Sequence, residues 1–370
     1  MDLYIGLLSG TSADAIDGIL VDLSDKHPNI LQTLTLPIPE ETKSIVFDLA
    51  ISGSAEIEKI RLLDQQFANL FSETTNKLCK AAGIETAAVK AIGSHGQTIR
   101  HYPPNTSISG YSLQIGDPNI IVEQTGITTV ADFRRRDIAA GGHGAPLAPA
   151  LHNAVFRSDK VDRIVLNTGG IANITHLSVN GEVLGFDTGP ANGLMDSWCQ
   201  RHTQQPYDNN GQWAATGIAD NELLNQLLQH PFFALKAPKS TGREDFNLIW
   251  LEQQLSKFGR KLSPENVQAT LLSLTTNTIA QAIDSIDQKK NAEVYICGGG
   301  AHNGLLVETL KQALSPRQLS STEALGISPD WVEAVAFAWL AKQTIEGKTG
   351  NLPSVTGAKK EVILGGIFQA

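Results

Sequence analysis

The sequence predicts an α/β protein built from two copies of one domain. One succession of elements (strand, glycine turn, strand, strand, helix) occurs twice, with the turns at Gly10 and Gly169 about 160 residues apart. The chain has 370 residues, of which 41% are hydrophobic and 18% charged, an ordinary globular composition that excludes a mainly disordered chain. At roughly 150 residues per domain, this length suits two or three domains. A duplicated domain predicts a ligand cleft between the copies.

Charge and cysteine content exclude several function classes. With 29 basic and 38 acidic residues, the net charge is −9, which opposes general nucleic-acid binding. The three cysteines, Cys79, Cys199 and Cys297, show no C-x-x-C spacing, so neither a disulfide framework nor a zinc site is indicated. The first residues lack the basic region and apolar stretch typical of a signal peptide, so we expect none, and no apolar run approaches the roughly 18 residues that span a bilayer. We therefore expect a cytoplasmic protein with no membrane partner.

The first half begins with strands. Short β-rich runs at 3–8, 16–23 and 30–38 are bounded by turn residues, which predicts a three-stranded antiparallel start. Apolar residues at spacings of three and four over 57–78 predict an amphipathic helix that stops at Gly83.

A second set of elements completes this half. The run 89–93 is predicted to be a strand that enters a polar turn at 94–98. A helix at 118–124 and a strand at 127–131 follow.

The second half repeats the plan. A strand at 163–166 enters a glycine turn, strands at 173–178 and 182–186 are joined by Asn180-Gly181, and a helix covers 193–199. A polar region, about 203–265, interrupts the repeat. The predicted elements that follow are a helix at 267–286, a strand at 292–297 and a helix opened by three glycines.

Three glycine turns, each following a strand, are the candidate phosphate sites. A glycine followed by small hydroxyl residues lets backbone N–H groups converge on a phosphate. The first turn lacks the lysine of a Walker A loop and leads into a strand, so a plain hairpin turn is the alternative. Together the three turns favour a nucleotide held between two domains. Their residues are Gly10, Thr11, Ser12, Ala13, Asp14, Ala15, Ile16 and Asp17, then Asn167, Gly169 and Gly170, and finally Gly298, Gly299 and Gly300.

Asp187 is the best candidate for a catalytic carboxylate. It is predicted to end a strand just before Gly189-Pro190, and so to project into the cleft. A carboxylate there can act as general base on a hydroxyl or on water. The alternative is an aspartate that caps a turn.

Several other polar residues carry two interpretations each. The basic cluster at 132–137 can clamp a carboxylate or phosphate, or it can be a solvated, ion-paired segment. His95 and His143 lack carboxylates at ligand spacing, which favours hydrogen-bonding or structural histidines over metal ligands. Glu333 is the one charge within the apolar helical segment 331–341. Since an unpaired buried carboxylate is costly, Glu333 lies on an exposed stripe or, as we favour, faces a polar site.

Five segments resemble those of the anhydro-N-acetylmuramic acid kinases. These segments are 10–17, 94–98, 132–142, 185–190 and, within the polar insert, 239–244. The resemblance runs from about residue 4 to residue 366. It implies the fold of the sugar kinase, heat-shock chaperone and actin superfamily, which is two ribonuclease-H-like domains flanking an ATP cleft. The implied division is 1–133 plus about 355–370 for the first domain, and 134–354 for the second, which carries the insert at about 203–265.

The resemblance also implies a reaction. ATP phosphorylates O6 of 1,6-anhydro-N-acetylmuramic acid while water opens the anhydro bridge, with Asp187 as the base that activates the water. Segment 10–17 corresponds to the family's ATP-phosphate segment, and Glu333 matches a sugar-contacting position. Further implied substrate contacts are Ser94, His95, Gln97 and Arg136. Mg²⁺ with ATP, a small-molecule sugar substrate, a homodimer and a role in peptidoglycan recycling are expected on the same ground.

Two positions depart from the family's pattern, and two other functions compete with it. Ala15 stands where the family usually has glycine, and a left-handed backbone there would strain an alanine. Ser9 stands where the superfamily often has aspartate, so the residue that positions Mg²⁺ is open. The competing functions are another small-molecule sugar kinase of the same superfamily and a chaperone-like ATPase.

Overall fold

A computed structural model describes residues 1–10, 13–51, 56–104, 110–237 and 239–370. The strands of these residues are, in chain order, β1 (Leu3–Ser9), β2 (Ala15–Asp22), β3 (Asn29–Pro37), β4 (Ala91–Tyr102), β5 (Tyr111–Ile115), β6 (Thr129–Ala131), β7 (Arg163–Thr168), β8 (Ile171–Leu177), β9 (Val183–Pro190), β10 (Glu293–Cys297), β11 (Leu319–Ser321) and β12 (Gly366–Phe368). The α-helices are α1 (Glu40–Ile51), α2 (Ile57–Ala82), α3 (Pro118–Thr125), α4 (Phe133–Ala139), α5 (Ala148–Val155), α6 (Asn192–Thr203), α7 (Asn221–Leu227), α8 (Leu248–Phe258), α9 (Pro264–Ile286), α10 (Gly304–Leu314), α11 (Val332–Ile345) and α12 (Pro353–Thr356).

The chain divides into two units. Unit 1 consists of Met1–Val155 and Trp331–Ala370, and unit 2 of Phe156–Asp330. This division differs from the one that the resemblance implies, because residues 134–155 and 331–354 belong with the first sheet. The reason is that α11 packs on β1 and β4, and α5 packs on α11.

Unit 1 contains one sheet in the order β12-β6-β4-β1-β2-β3, with β5 paired to β4. Strands β1, β2 and β3 pair antiparallel, which confirms the predicted antiparallel start. Strands β1, β4 and β6 are parallel. Their carboxyl ends therefore meet at one edge, the position at which open α/β sheets bind ligands.

Unit 2 repeats this arrangement. Its sheet has the order β11-β10-β7-β8-β9, in which β7, β8 and β9 are antiparallel and β7, β10 and β11 are parallel. Three antiparallel strands followed by two parallel ones is the ribonuclease-H-like order. The predicted fold class, a duplicated ribonuclease-H-like domain, is thereby confirmed.

Helices cover both faces of the sheet in unit 1. On one face α2 buries Leu63, Phe67 and Phe71, and it ends as predicted at Gly83, which is left-handed with φ 66°. On the other face α11 lies directly on the backbone of β1 and β4. A Cβ added at Gly6 would lie 1.9 Å from the Ala334 carbonyl oxygen, so only glycine allows this approach.

Two predicted element boundaries are wrong. The predicted polar turn at 94–98 lies within β4, which continues to Tyr102. The sequence pattern alone could not show this, because β5 supplies the pairing partner for Gln97 to Tyr102. A bulge lies between Ser94 and Gln97, where Gly96 has φ 76°, and the pairing with β5 shifts register between Thr98 and Arg100.

The second boundary concerns the predicted base. Asp187 does not end its strand, because β9 extends to Pro190 and pairs with β8 as far as Ile171. Gly189, with φ 145°, is part of this strand rather than of a turn. Asp187 is therefore held by sheet pairing on a rigid element.

The predicted polar insert forms part of unit 2. It contains α7 and α8, whose Leu223, Leu227 and Leu251 join the apolar core beneath the sheet. Of the helices that the structure describes, none is both long and apolar enough to cross a membrane.

Candidate active site

The first glycine turn joins β1 to β2. Ala13 donates its N–H to the Gly10 carbonyl at 3.1 Å and adopts φ 47°, a strained conformation for a non-glycine residue. Asp14 is exposed and pairs with Lys43. Thr11 and Ser12 lie outside the described residues. The turn places Gly10 at the carboxyl edge of the sheet, where a phosphate site is expected.

The last three residues of this candidate segment belong to β2. Ala15 is extended and pairs with Pro37, so the alanine at this position is not strained. Ile16 is fully buried in the core, whereas the Asp17 carboxylate accepts a hydrogen bond from Thr35 at 2.8 Å. Among the described residues of this segment, those in β2 are thus engaged in the sheet, and Gly10, Ala13 and Asp14 lie in the turn.

A buried hydrogen bond joins the turn's strand to the β4 bulge. Ser9 Oγ donates to Gln97 Oε1 at 2.6 Å, and Gln97 Nε2 donates to the Thr98 carbonyl at 3.1 Å. The side-chain oxygen and nitrogen of Gln97 are both occupied. Gln97 therefore fixes the end of β1, where the superfamily often has aspartate.

In unit 1 a hydrogen bond joins the buried His95 ring to the Arg134 guanidinium. His95 Nδ1 lies 2.9 Å from the Gly96 carbonyl oxygen, and Nε2 accepts from Arg134 Nη2 at 2.7 Å. Burial, reinforced by the Arg134 charge, holds the pKa of His95 well below its ordinary value. His95 is therefore neutral, and both ring nitrogens are engaged, so it orients Arg134.

Arg134 is itself unusual for a guanidinium. Burial lowers its pKa to about 10, and the nearby charge of Glu333 opposes this shift. Its Nη1 also donates to the Gly144 carbonyl at 2.8 Å. Glu333 lies in the first turn of α11 and is exposed. The carboxylate that sequence analysis selected thus lies close to a buried arginine that carries a positive charge.

Arg136 is the cation that stands free in this region. Its side chain is exposed, and it makes no hydrogen bond or ion pair to any described residue. Its neighbour Asp137 is fully buried instead, accepting from Gly144 N, Asn351 and Thr356. Within the predicted basic cluster, Asp137 is therefore structural, whereas the Arg136 guanidinium is available to a ligand.

A cavity of about 160 Å³ opens beside this cluster. Its lining includes Ser94, His95, Asp132 and Arg135. Ser94 is buried, and its hydroxyl finds no hydrogen-bond partner among the residues that the structure describes. An orphaned hydroxyl at a cavity wall is suited to bind a polar ligand.

In unit 2, two predicted glycine turns come together. A Cβ on Gly298, which has φ 78°, would lie 2.3 Å from Asn167 Oδ1, and one on Gly300 would lie 2.6 Å from Thr168 Oγ1. By contrast, a Cβ added at Gly169, Gly170 or Gly299 would have no neighbouring atom closer than 3.6 Å. The open backbone at these three glycines can admit a ligand.

Polar side chains form a row across the sheet of unit 2. Asn167 on β7 is paired with Asn173 on β8, which is paired with Asp187 on β9. Residues directly opposite each other project from the same face of a sheet. Asn173 was missed by sequence analysis. Only the strand pairing places it beside Asn167 and Asp187, and the sequence alone does not show that pairing.

The insert holds one oxygen of Asp187. Its Oδ2 accepts from Ser240 Oγ at 2.8 Å and from the Thr241 N–H at 2.9 Å. Among the described residues, none donates to Oδ1. Burial raises the pKa of Asp187, and the two hydrogen bonds oppose that rise. A carboxylate with one oxygen fixed and a raised pKa is suited to act as a general base.

The fold and these residues together define a class of protein, the small-molecule kinases with duplicated ribonuclease-H-like domains. A sequence profile described as anhydro-N-acetylmuramic acid kinase matches residues 2–370. The chain belongs to the anhydro-N-acetylmuramic acid kinase family, and it is thus a phosphotransferase with an alcohol acceptor.

Two relatives that carry this family's name are similar in sequence to almost the whole chain. It is 50% identical over 368 residues to an anhydro-N-acetylmuramic acid kinase from Shewanella pealeana, covering 99% of this chain and 98% of that protein. The enzyme of the same name from Shewanella halifaxensis is also 50% identical, with the same coverage. Among solved structures, component A of (R)-2-hydroxyglutaryl-CoA dehydratase from Acidaminococcus fermentans is 10% identical with a TM-score of 0.47, covering 91% of this chain and 96% of that one.

Proposed function

We propose that this kinase converts 1,6-anhydro-N-acetylmuramic acid and ATP to N-acetylmuramic acid 6-phosphate and ADP, with water opening the anhydro ring. The observation that carries the proposal is Asp187, a half-buried carboxylate whose Oδ2 is held by the insert in a chain of this family.

In the proposed reaction, Asp187 acts through Oδ1, the carboxylate oxygen that the insert does not hold. Asp187 Oδ1 takes a proton from water, and the water oxygen forms a bond to the anomeric carbon C1. The C1–O6 bond breaks, and its electron pair stays on O6. That oxygen attacks the γ-phosphorus, and the bond from phosphorus to the ADP oxygen breaks. One carboxylate thereby serves both ring opening and phosphoryl transfer.

The glycine turns are the proposed contacts of ATP. We assign this role to the backbone of Gly10, Ala13 and Asp14 in unit 1 and to the open glycines Gly169, Gly170 and Gly299 in unit 2. Such N–H groups stabilise the charge that develops on a transferring phosphoryl group. Asn167, Gly298 and Gly300 support this site by close packing.

The proposed contacts of the sugar lie in unit 1. Arg136 is available to pair with the carboxylate of the substrate, the Ser94 hydroxyl can bond a sugar oxygen, and Glu333 contacts a sugar hydroxyl. His95 and Gln97 are already engaged. We assign them the support of Arg134 and of the end of β1.

We propose that Mg²⁺ enters with ATP as part of the substrate. Within the described ranges, no three His, Cys, Asp or Glu side chains gather into a metal-binding group. Magnesium in kinases commonly takes one or two carboxylates plus substrate phosphates, so the phosphates would hold most of it. A cytoplasmic location, a role in peptidoglycan recycling and a homodimer stay predictions of the family resemblance.

A coupled assay of ADP release tests the substrate. The protein is supplied with MgATP and, in separate reactions, with 1,6-anhydro-N-acetylmuramic acid, glucose or acetate. We expect sustained ADP release with the anhydro sugar alone. Comparable rates with glucose would replace this proposal with a general sugar kinase.

A further inference from the structure

The segment Lys239–Asp245 contacts the proposed base and also reaches the proposed phosphate turn. We name these seven residues the strap. Ser240 and Thr241 hold Asp187 Oδ2. At the other side of the strap, Arg243 lies over Gly170, because a Cβ added to Gly170 would be 3.6 Å from Arg243 Nη2.

The strap is fixed at its amino end. The Lys239 carbonyl accepts from Asp187 N at 3.0 Å, which extends the β9 backbone pairing to the strap. Lys239 Nζ donates to the carbonyls of Phe232 and Phe233 at 3.2 and 3.3 Å. Its charge also lies over the Phe232 ring, 4.5 Å from the ring centre.

The strap is also fixed internally and at its carboxyl end. Thr241 Oγ1 donates to Asp245 Oδ2 at 2.7 Å, and Phe246, which is buried, donates its N–H to the Gly242 carbonyl. Asn247 donates to the Arg243 carbonyl at 2.9 Å and caps α8. A segment held at both ends keeps Ser240 and Arg243 at a fixed separation.

Of the two cations in the strap, one is committed and one is available. Lys239 is engaged by two carbonyls and a ring, and burial lowers its pKa. Arg243 is exposed, and within the described part of the chain its guanidinium has no hydrogen bond or ion pair. It therefore presents five N–H donors over open glycine backbone.

We infer that Arg243 is a catalytic residue that contacts the γ-phosphoryl group of ATP at the Gly169–Gly170 turn. The strap links Arg243 to the positioning residue Ser240, which holds the Asp187 carboxylate. The inference rests on the proposed function. A guanidinium is planar and fits phosphate oxygens bidentately, and it stabilises the charge that develops during transfer. Because the strap is held at both ends, Arg243 on the γ-phosphate and Ser240 on Asp187 stay at a fixed separation.

Nucleotide binding by Arg243→Gln separates this role from a structural one. A non-hydrolysable ATP analogue and ADP are titrated calorimetrically into the wild-type protein and the variant. We expect about tenfold weaker binding of the analogue and unchanged binding of ADP, because only the analogue has a γ-phosphate. Arg260→Gln, an exposed arginine of the same unit that pairs with Asp220, is the matched control. Equal weakening for both nucleotides, or for neither, would overturn the role of Arg243.

Kinetics of Ser240→Ala test the link to the base. Removing the hydroxyl takes away a hydrogen bond that favours the charged carboxylate, so the acid limb of kcat/KM should move to higher pH, with the KM of ATP unchanged. Ser240→Thr should restore the wild-type profile. An unshifted profile in Ser240→Ala would refute the positioning role.

The outcome for Asp187→Asn distinguishes failure of this inference from failure of the proposed function. If Asp187→Asn is inactive and Arg243→Gln turns over at the wild-type rate, Arg243 has no catalytic role and the proposed base stands. If Asp187→Asn is active, the proposed base is wrong, and the analogue-against-ADP comparison still decides the role of Arg243. We expect a loss of about 10²- to 10³-fold in kcat for Arg243→Gln.

Discussion

Asn173 and Asp187 face each other across β8 and β9 as direct pairing partners. Because Asn167 faces Asn173 in turn, a row of amide and carboxylate groups crosses the sheet of unit 2. The proposed base is therefore placed by sheet pairing on one side and by Ser240 on the other. A substitution at Asp187 should act on chemistry rather than on folding.

For Asp187→Asn we expect a fall in kcat of at least 10²- to 10⁴-fold, the usual cost of losing a general base. The amide keeps the shape of the carboxylate but takes no proton from water. ATP binding should be retained within about threefold, which equilibrium titration checks. Asp159→Asn, at an exposed position of unit 2, is the control. Turnover near the wild-type level would remove Asp187 from the mechanism.

Replacing Arg136 should affect the sugar rather than the nucleotide. In Arg136→Gln, loss of a guanidinium–carboxylate pair should raise the KM of the anhydro sugar by about 10- to 100-fold, with the KM of ATP unchanged. Steady-state kinetics with each substrate varied in turn measure both values. Arg61→Gln removes an exposed arginine that pairs with Glu58 and should change neither. A raised KM for ATP in Arg136→Gln would contradict the assignment.

The glycines of the third turn offer a matched pair of variants. An added methyl at Gly300 would lie 2.6 Å from Thr168 Oγ1, whereas at Gly299 the nearest atom is 3.6 Å away. Gly300→Ala should therefore lower the free energy of unfolding by about 1–3 kcal/mol, the usual cost of overpacking. Gly299→Ala should leave it within about 0.5 kcal/mol. Denaturant titration of both variants measures this, and equal effects would show that the packing here is looser than the structure indicates.

Stability should fall in mild acid because unit 1 buries neutral histidines. Burial lowers the pKa of His152 to about 3 and that of His101 to about 4, from 6.5. Below pH 6.5 these histidines become protonated in the unfolded chain but stay neutral in the folded chain. The free energy of unfolding is therefore lost as pH falls from about 6.5 toward 4, by up to about 1.4 kcal/mol per pH unit for a fully buried histidine such as His152.

Denaturant titration over this pH range measures that loss. His152→Asn should flatten the slope, and the same substitution at the exposed His27 is the control. A slope that is unchanged in His152→Asn would mean that this histidine does not titrate on unfolding.

The sequence predicted those features that depend on local pattern. The strands β1, β2 and β3, the helix α2 with its stop at Gly83, and the duplication all follow from periodicity and turn residues. The duplicated α/β class followed from the repeated strand order, and the ribonuclease-H-like fold followed from the family resemblance.

The remaining features depend on partners far away along the chain. Residues 94–98 form a strand because β1 and β6 pair with its start and β5 with its end, and their polar pattern could not show it. Asp187 and Ser240 are 53 residues apart in sequence. The Arg134 bond that engages His95 likewise bridges 39 residues. Such tertiary contacts decide which polar residues are free for a ligand and which are already engaged.

The central claim is that Asp187 activates a water that attacks the anomeric carbon, and the destination of solvent oxygen tests it most directly. The reaction is run in ¹⁸O water, and the label is located by mass spectrometry, with correction for anomeric exchange. We predict one solvent oxygen at C1 of the product and the original O6 in the phosphate ester. Label in inorganic phosphate, with none at C1, would contradict the account.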